Sequence, residues 1–233
     1  MMSDLLFSAP DWPLLTMRGS ERRIPVRRVF CVGRNYAAHA AEMGNEVDRE
    51  APFYFTKSAL AVLPCGPEGV TMAYPPGTSD LHHEVELAVI LGAPAFRVPE
   101  AEAMSIVAGY ACALDMTRRD LQAKAKDKRR PWSLGKDFED SAIIGDVTPA
   151  ADWGAPGRQA IKLSVDGTVR QESQLDLMVW SVAALIADLS GFYHLQPGDV
   201  ILTGTPEGVG AVEPGARLTG SIEGLAPLDV TIA

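Results

Sequence analysis

The chain has 233 residues, 47% of them apolar and 22% charged, enough for a substantial buried core and ordinary for a globular protein. Its net charge of −9 excludes a general nucleic-acid surface, which needs clustered positive charge. The three cysteines, Cys31, Cys65 and Cys112, are odd in number and far apart, so neither a disulfide framework nor a zinc site is expected. No basic region followed by an apolar stretch opens the chain at 1–6, and no window reaches the ~18 apolar residues of a membrane span. A cytoplasmic protein that binds neither membrane nor nucleic acid is expected.

In chain order, residues 1–27 form a lead-in with the makings of an edge hairpin, and Arg28 to Val32 reads as a core strand. Gly33-Arg34-Asn35 breaks it, and Tyr36 to Met43 has helical composition. His39 and Glu42 sit three apart there, neighbours on one helical face, so the carboxylate can fix one tautomer and leave the other ring nitrogen to take a proton. A solvated surface pair is the alternative. Gly44-Asn45-Glu46 ends the turn and makes the segment a candidate lid. Pro52 to Lys57 and Val70 to Tyr74 read as strands.

His82-His83-Glu84-Val85-Glu86 then runs into Leu87-Ala88-Val89-Ile90-Leu91-Gly92, a buried strand with an acidic start. Strand alternation sends Glu84 and Glu86 one way and Val85 the other. Two adjacent carboxylates repel unless a cation lies between them, and Mg²⁺, Mn²⁺ or Ca²⁺ suits oxygen ligands. A solvent-facing acidic edge is the alternative. Pro99 to Ile106 reads as a helix, and Gly109 to Asp115 as a small-residue strand whose terminal Asp either caps the next helix or joins the Glu84–Glu86 pair. Arg118 to Arg130 reads as a basic helix, a solvated face or a steering surface for an anion. Pro131 to Phe138 is expected as a loop in which Lys136 follows Gly135. Ile161 to Arg170 reads as a hairpin turning at Asp166-Gly167, and Ser181 to Leu189 as a helix stopped by Gly191. Val200 to Leu202 leads into the Gly/Thr-rich loop 203–210, which lacks the Gly-Lys-Ser/Thr of a P-loop. Short strands and Gly/Pro turns outnumber helices, so a β-rich α+β fold is expected rather than a doubly wound sheet.

Six segments in order resemble the fumarylacetoacetate hydrolase family: Gly33-Arg34-Asn35-Tyr36 with His39 and Glu42; Phe53 to Lys57; His83 to Glu86; Asp115 to Gln122; Gly135 to Phe138; and Thr203 to Gly210. The resemblance implies the short branch of that family, one catalytic domain over 1–233 folded as a mixed β-sandwich roll and assembled as a homodimer. It implies Mg²⁺ or Mn²⁺ on Glu84, Glu86 and Asp115, water activation by His39 held by Glu42, and Lys136 as the positive catalytic group. Arg34, Gln122 and Thr205 are implied as contacts to a small anionic 2-oxo acid. Ser58 departs from the family by standing where many members have Pro, which is expected to alter only a local turn.

The implied activity is hydrolysis of a C–C bond in an acylpyruvate, such as fumarylpyruvate cleaved to fumarate and pyruvate. Oxaloacetate decarboxylation, or isomerisation and decarboxylation of a hydroxymuconate-type diacid, suits the same enolate-stabilising site and needs no attacking water. A non-catalytic binding protein on the same scaffold is the alternative from another class.

Overall fold

The structure is a computed structural model describing residues 5–44 and 46–233. Residues 1–4 of the N-terminal targeting argument, and Asn45 of the lid argument, lie outside the described residues. No helix among the described residues is long and apolar enough to cross a membrane.

Two curled, mixed sheets face each other. The larger has eight strands. Along its path lie Phe53–Lys57, Arg28–Gly33, Asp199–Leu202, Val85–Leu91, Val107–Asp115, Ala142–Gly145 and Val62–Cys65, with Thr148–Pro149 also paired to Val107–Asp115. The smaller runs Thr168–Gln174, Ala160–Val165, Arg217–Ile222, Leu228–Ile232, Val70–Met72. This is the β-rich roll expected from the sequence, with parallel pairs interspersed among antiparallel ones.

Strand alternation divides the large sheet into two apolar faces. Leu87, Val89, Cys112 and Leu114 join Leu163, Leu218 and Val230 of the small sheet in one core. Ala88, Ile90, Ala111 and Ala113 point the other way, and Leu15 and Val26 of the lead-in cover them. The lead-in does form a hairpin, Leu14–Thr16 with Arg23–Pro25. Small side chains on this second face leave room for it, and at one end they leave room for the site.

Several boundaries differ from expectation. The acidic strand is broken at Glu84: Leu81–His83 pairs with Thr117–Arg118 and Gly210–Val212 in a separate three-stranded sheet, and Val85–Leu91 begins the large one. Gly191 does not stop its helix, which spans Val182–Phe192. The chain leaves the helix at Tyr193, whose ring packs 5.0 Å from Phe30, so tertiary packing rather than glycine sets the end. The loop 131–138 contains a helical turn, Ser133–Lys136. Gly135 makes it possible: a Cβ there would sit 2.9 Å from the backbone nitrogen of Gln122, so only glycine lets the turn lie flush against the neighbouring helix. Asp166 (φ 49) and Gly167 (φ 77) form the expected left-handed two-residue turn.

Candidate active site

Register brings the three carboxylates together. Val85–Leu91 and Val107–Asp115 are antiparallel, with Glu86 opposite Ala113 and the Asp115 N–H donating to the Glu84 carbonyl at 2.9 Å. Period-two alternation then places Glu84, Glu86 and Asp115 on the second face, at one end of two adjacent strands. One oxygen from each lies within 4.8 Å of the others, and all three residues are buried. The solvent-facing acidic edge is overturned, because this end of the strands is roofed by other elements. Asp115 does not cap a helix either: the helix Arg119–Asp127 has no side-chain N-cap, and the carboxylate faces two lysines instead.

Protein cations answer most of this charge. Lys136 Nζ donates to Glu84 Oε2 at 2.7 Å and Asp115 Oδ2 at 2.8 Å, and Arg119 pairs with Glu84 Oε1. Lys57 Nζ lies 2.8 Å from Asp115 Oδ1 without the angle of a hydrogen bond, so that oxygen has a charge contact but no directional donor. Burial alone would raise the Glu84 carboxyl, but Lys136 and Arg119 outweigh it and hold it well below the usual carboxylate range. Burial opposes the charge on Lys136, and Asp115 and Glu84 more than offset that. Lys136 is therefore a buried ion-pair member and not the solvated loop lysine that is common in such positions.

Glu86 is the exception. Among the described residues its carboxylate receives only the Gly204 N–H, at 2.7 Å on Oε2. Burial, then the nearby Asp115 and Glu84 charges, push its pKa well above the usual range. A buried oxygen cluster with one unneutralised carboxylate and one undirected carboxylate oxygen fits a hard divalent cation such as Mg²⁺ or Mn²⁺.

His39 lies on the short helix Ala37–Glu42, where the i,i+3 spacing brings Nδ1 to 3.4 Å from Glu42 Oε2. It is buried and lines the same cavity as Glu84, Glu86, Lys136, Arg34, Gln122 and Thr205. Burial lowers its pKa below the ordinary imidazole value, only partly offset by Glu84 and Glu42. Glu42 also accepts the Gly208 N–H at 3.1 Å, which ties this helix to the Thr203–Gly210 loop. All nine residues expected from the sequence therefore converge: eight on one cavity wall or its carboxylate floor, and Glu42 behind His39.

Four further residues shape the site without having been expected there. Arg119 accompanies Gln122 on the inner face of the basic helix and donates to its Oε1 at 2.6 Å. The i,i+3 spacing of Arg119 and Gln122 carried that signal. Lys57 ends an alternating aromatic strand, a position that reads equally well as surface. Asn35 is fully buried and ties Trp180 N–H (2.7 Å) and the Thr203 carbonyl (2.8 Å) together. Gln171 comes from the small sheet: its Oε1 accepts from Val85 N–H and faces His83 Nδ1, both at 3.0 Å. Its Nε2 donates to Thr205 Oγ1 at 2.8 Å and the Pro206 carbonyl at 2.9 Å. Nothing local in the sequence marks it. Ser58 exploits its departure from proline, since its N–H donates to Asp137 Oδ1 at 2.7 Å and its hydroxyl accepts from Leu60 N–H.

The chain matches known proteins over nearly its whole length. It is 49% identical to a fumarylpyruvate hydrolase of Ralstonia sp over 193 residues, 82% of this chain and 98% of that protein. It is 41% identical to the oxaloacetate tautomerase YcgM of Escherichia coli (strain K12), over 86% of this chain and 90% of that one. The crystal structure of fumarylpyruvate hydrolase from Pseudomonas aeruginosa in complex with Mn²⁺ and pyruvate superposes with a TM-score of 0.96, at 48% identity and 99% coverage of both chains. Residues 28–233 match the model for the C-terminal region of fumarylacetoacetate (FAA) hydrolase. With its fold, its buried acidic trio and these likenesses agreeing, the chain belongs to the fumarylacetoacetate hydrolase family.

Proposed function

We propose that the protein hydrolyses the C–C bond of an acylpyruvate such as fumarylpyruvate, giving pyruvate and fumarate. The observation that carries this reading is the meeting of the buried Glu84–Glu86–Asp115 trio with the His39–Glu42 pair in one cavity. A divalent ion bound to the trio supplies Lewis-acid stabilisation of the developing enolate oxygen, worth several kcal/mol.

The protein's own groups do the rest. His39 is neutral near pH 7, and Glu42 accepts its Nδ1–H, so the other ring nitrogen is free to take a proton from water. The oxygen of that water bonds to the 4-carbonyl carbon, the C3–C4 bond breaks, and the electron pair leaves with the pyruvate enolate. The proton taken up by His39 balances the one C3 must regain. Lys136 has three N–H donors and spends two on Glu84 and Asp115, which leaves one for the substrate. Gln122 has committed its Oε1 to Arg119, so its amide N–H groups are the ones available to a carboxylate. Thr205 Oγ1 already accepts from Gln171, so its own O–H is available to donate. Arg34 adds charge on the same wall.

The second reading, enolate chemistry on oxaloacetate without attacking water, is favoured by the tautomerase relatives. A panel of fumarylpyruvate, acetylpyruvate, fumarylacetoacetate and oxaloacetate, assayed on metal-stripped and metal-restored protein, separates the two. Metal-dependent fumarylpyruvate hydrolysis is expected; turnover of oxaloacetate alone would favour the second reading. A homodimer in the cytoplasm completes the proposal, and sedimentation at assay concentration tests the assembly.

A further inference from the structure

Lys126, at one end of the cavity, takes no part in the chemistry above. Lys126 follows Arg119 by seven residues and Gln122 by four on the helix Arg119–Asp127, so the helical period turns it to the same inner face. Its neighbours Lys124 and Lys128 are exposed, whereas Lys126 is half-buried and lines the cavity that holds Glu84 and Lys136. Its Nζ stands 4.8 Å from the centre of the Trp132 ring. Among the described residues no carboxylate lies within ion-pair distance of it, in contrast to Lys124, which has Asp120. Burial, reinforced by Arg119, Arg34 and Lys136 and only partly offset by Glu84, lowers its pKa to about 8, the mark of a cation crowded by other cations.

Trp132 forms a wall common to this cavity and two adjoining clefts, with its ring 5.0 Å from Phe53 and 5.8 Å from Phe55. The Arg34 guanidinium lies 5.8 Å from the Phe53 ring on the same side. On the acidic floor, Lys57, Lys136 and Arg119 are committed to Glu84 and Asp115. Lys126 and Arg34, the latter with the exposed Asp48 near it, add positive charge beside a flat apolar wall.

We propose that Lys126 and Arg34 form a receptor for a second carboxylate, at the far end of the acyl group, with Trp132 as the wall for the planar chain between. This rests on the acylpyruvate reading and narrows it. The protein selects acylpyruvates whose acyl half ends in a carboxylate over those ending in a methyl group. A half-buried cation without an anion is unfavourable, and a carboxylate brings a charge-assisted hydrogen bond to it.

The test compares metal-loaded wild type, Lys126→Met, Lys126→Arg and Lys124→Met on fumarylpyruvate and acetylpyruvate. Lys126→Met is expected to raise KM for fumarylpyruvate about 10-fold or more while shifting that for acetylpyruvate by less than ~3-fold. Lys126→Arg should keep most of the preference, and Lys124→Met, an exposed control, should behave as wild type. Competitive inhibition by fumarate against crotonate, the same trans skeleton with one carboxylate fewer, gives a second readout. Wild type should favour fumarate by about 10-fold, and Lys126→Met should erase the difference. Equal loss on both substrates, an unchanged fumarylpyruvate KM, or equal inhibition by the two acids in wild type would overturn the receptor. If wild type turned over neither acylpyruvate, the functional reading would fail instead, and fumarate and crotonate titrated into the metal-loaded proteins by calorimetry would still decide the receptor.

Discussion

The two ends of the cavity are built on opposite principles. At the floor, Glu84 and Asp115 are buried and each is held by two cationic side chains, backed by two adjacent strands of the large sheet. At the mouth, Arg34, Lys126 and Trp132 are half-buried and held by ring contacts. Fixed positions suit chemistry, where a misplacement of about an ångström costs on the order of 100-fold. Partly solvated cations suit recognition, because they remain available to an incoming anion. The floor is therefore where substitution should damage both fold and reaction, and the mouth where it should change only what is bound.

Asp115→Ala breaks the floor most severely. It removes a ligand and leaves two buried ammonium groups, Lys57 and Lys136, short of an anion. Turnover should vanish, and urea denaturation should show a loss of about 3–5 kcal/mol; a loss below ~1 kcal/mol would mean the pairs matter little to the fold. His39→Ala separates chemistry from structure. Hydrolysis should fall by roughly 10²–10⁴-fold with little change in Tm, while turnover of oxaloacetate through its enolate is retained. Parallel loss of both activities would remove His39 from the role of base.

Gln171→Leu probes how the small sheet serves the floor. Thr205 loses the donor that fixes its hydroxyl, so KM should rise by about 10-fold, more than kcat falls. Thr205→Ser should stay near wild type and Thr205→Val should mimic the Gln171 change; a fall in kcat alone would contradict this. The pH profile is a gentler perturbation. Because burial lowers the His39 pKa, the imidazole stays neutral to lower pH, and the acid limb of kcat/KM should lie below pH ~6.5. A limb at or above that value would contradict the buried geometry. Smallest of all, Lys124→Ala removes an exposed i,i+4 pair at 4.0 Å and should alter stability by no more than about 0.5 kcal/mol.

Much of the floor was legible because its signals are local. Alternation along Glu84-Val85-Glu86 and the spacing of His39 and Glu42 depend on a few consecutive residues, and both hold in the structure. The basic helix was harder. Seven Lys and Arg residues between 118 and 130 read as a solvated face or a steering surface for an anion, and their pattern alone does not tell that Arg119 is buried at the floor and Lys126 faces the mouth. Burial depends on what covers a helix, and composition carries no information about that. Gln171 shows the limit most clearly, since it reaches Thr205, 34 residues on, and Val85, 86 residues back, from the opposite sheet.

The sequence by itself determined the β-rich class, the strand alternation that pairs Glu84 with Glu86, the hairpin at Asp166-Gly167 and the His39–Glu42 pair, all set by steric preference and periodicity over a few residues. Only the tertiary structure decided that Asp115 joins the carboxylates rather than capping a helix, that Lys136 and Lys57 are buried against it, and that Lys126 has no ion-pair partner among the described residues. Those outcomes turn on strand register and on which segment roofs which, and both are fixed when distant parts of the chain pack together.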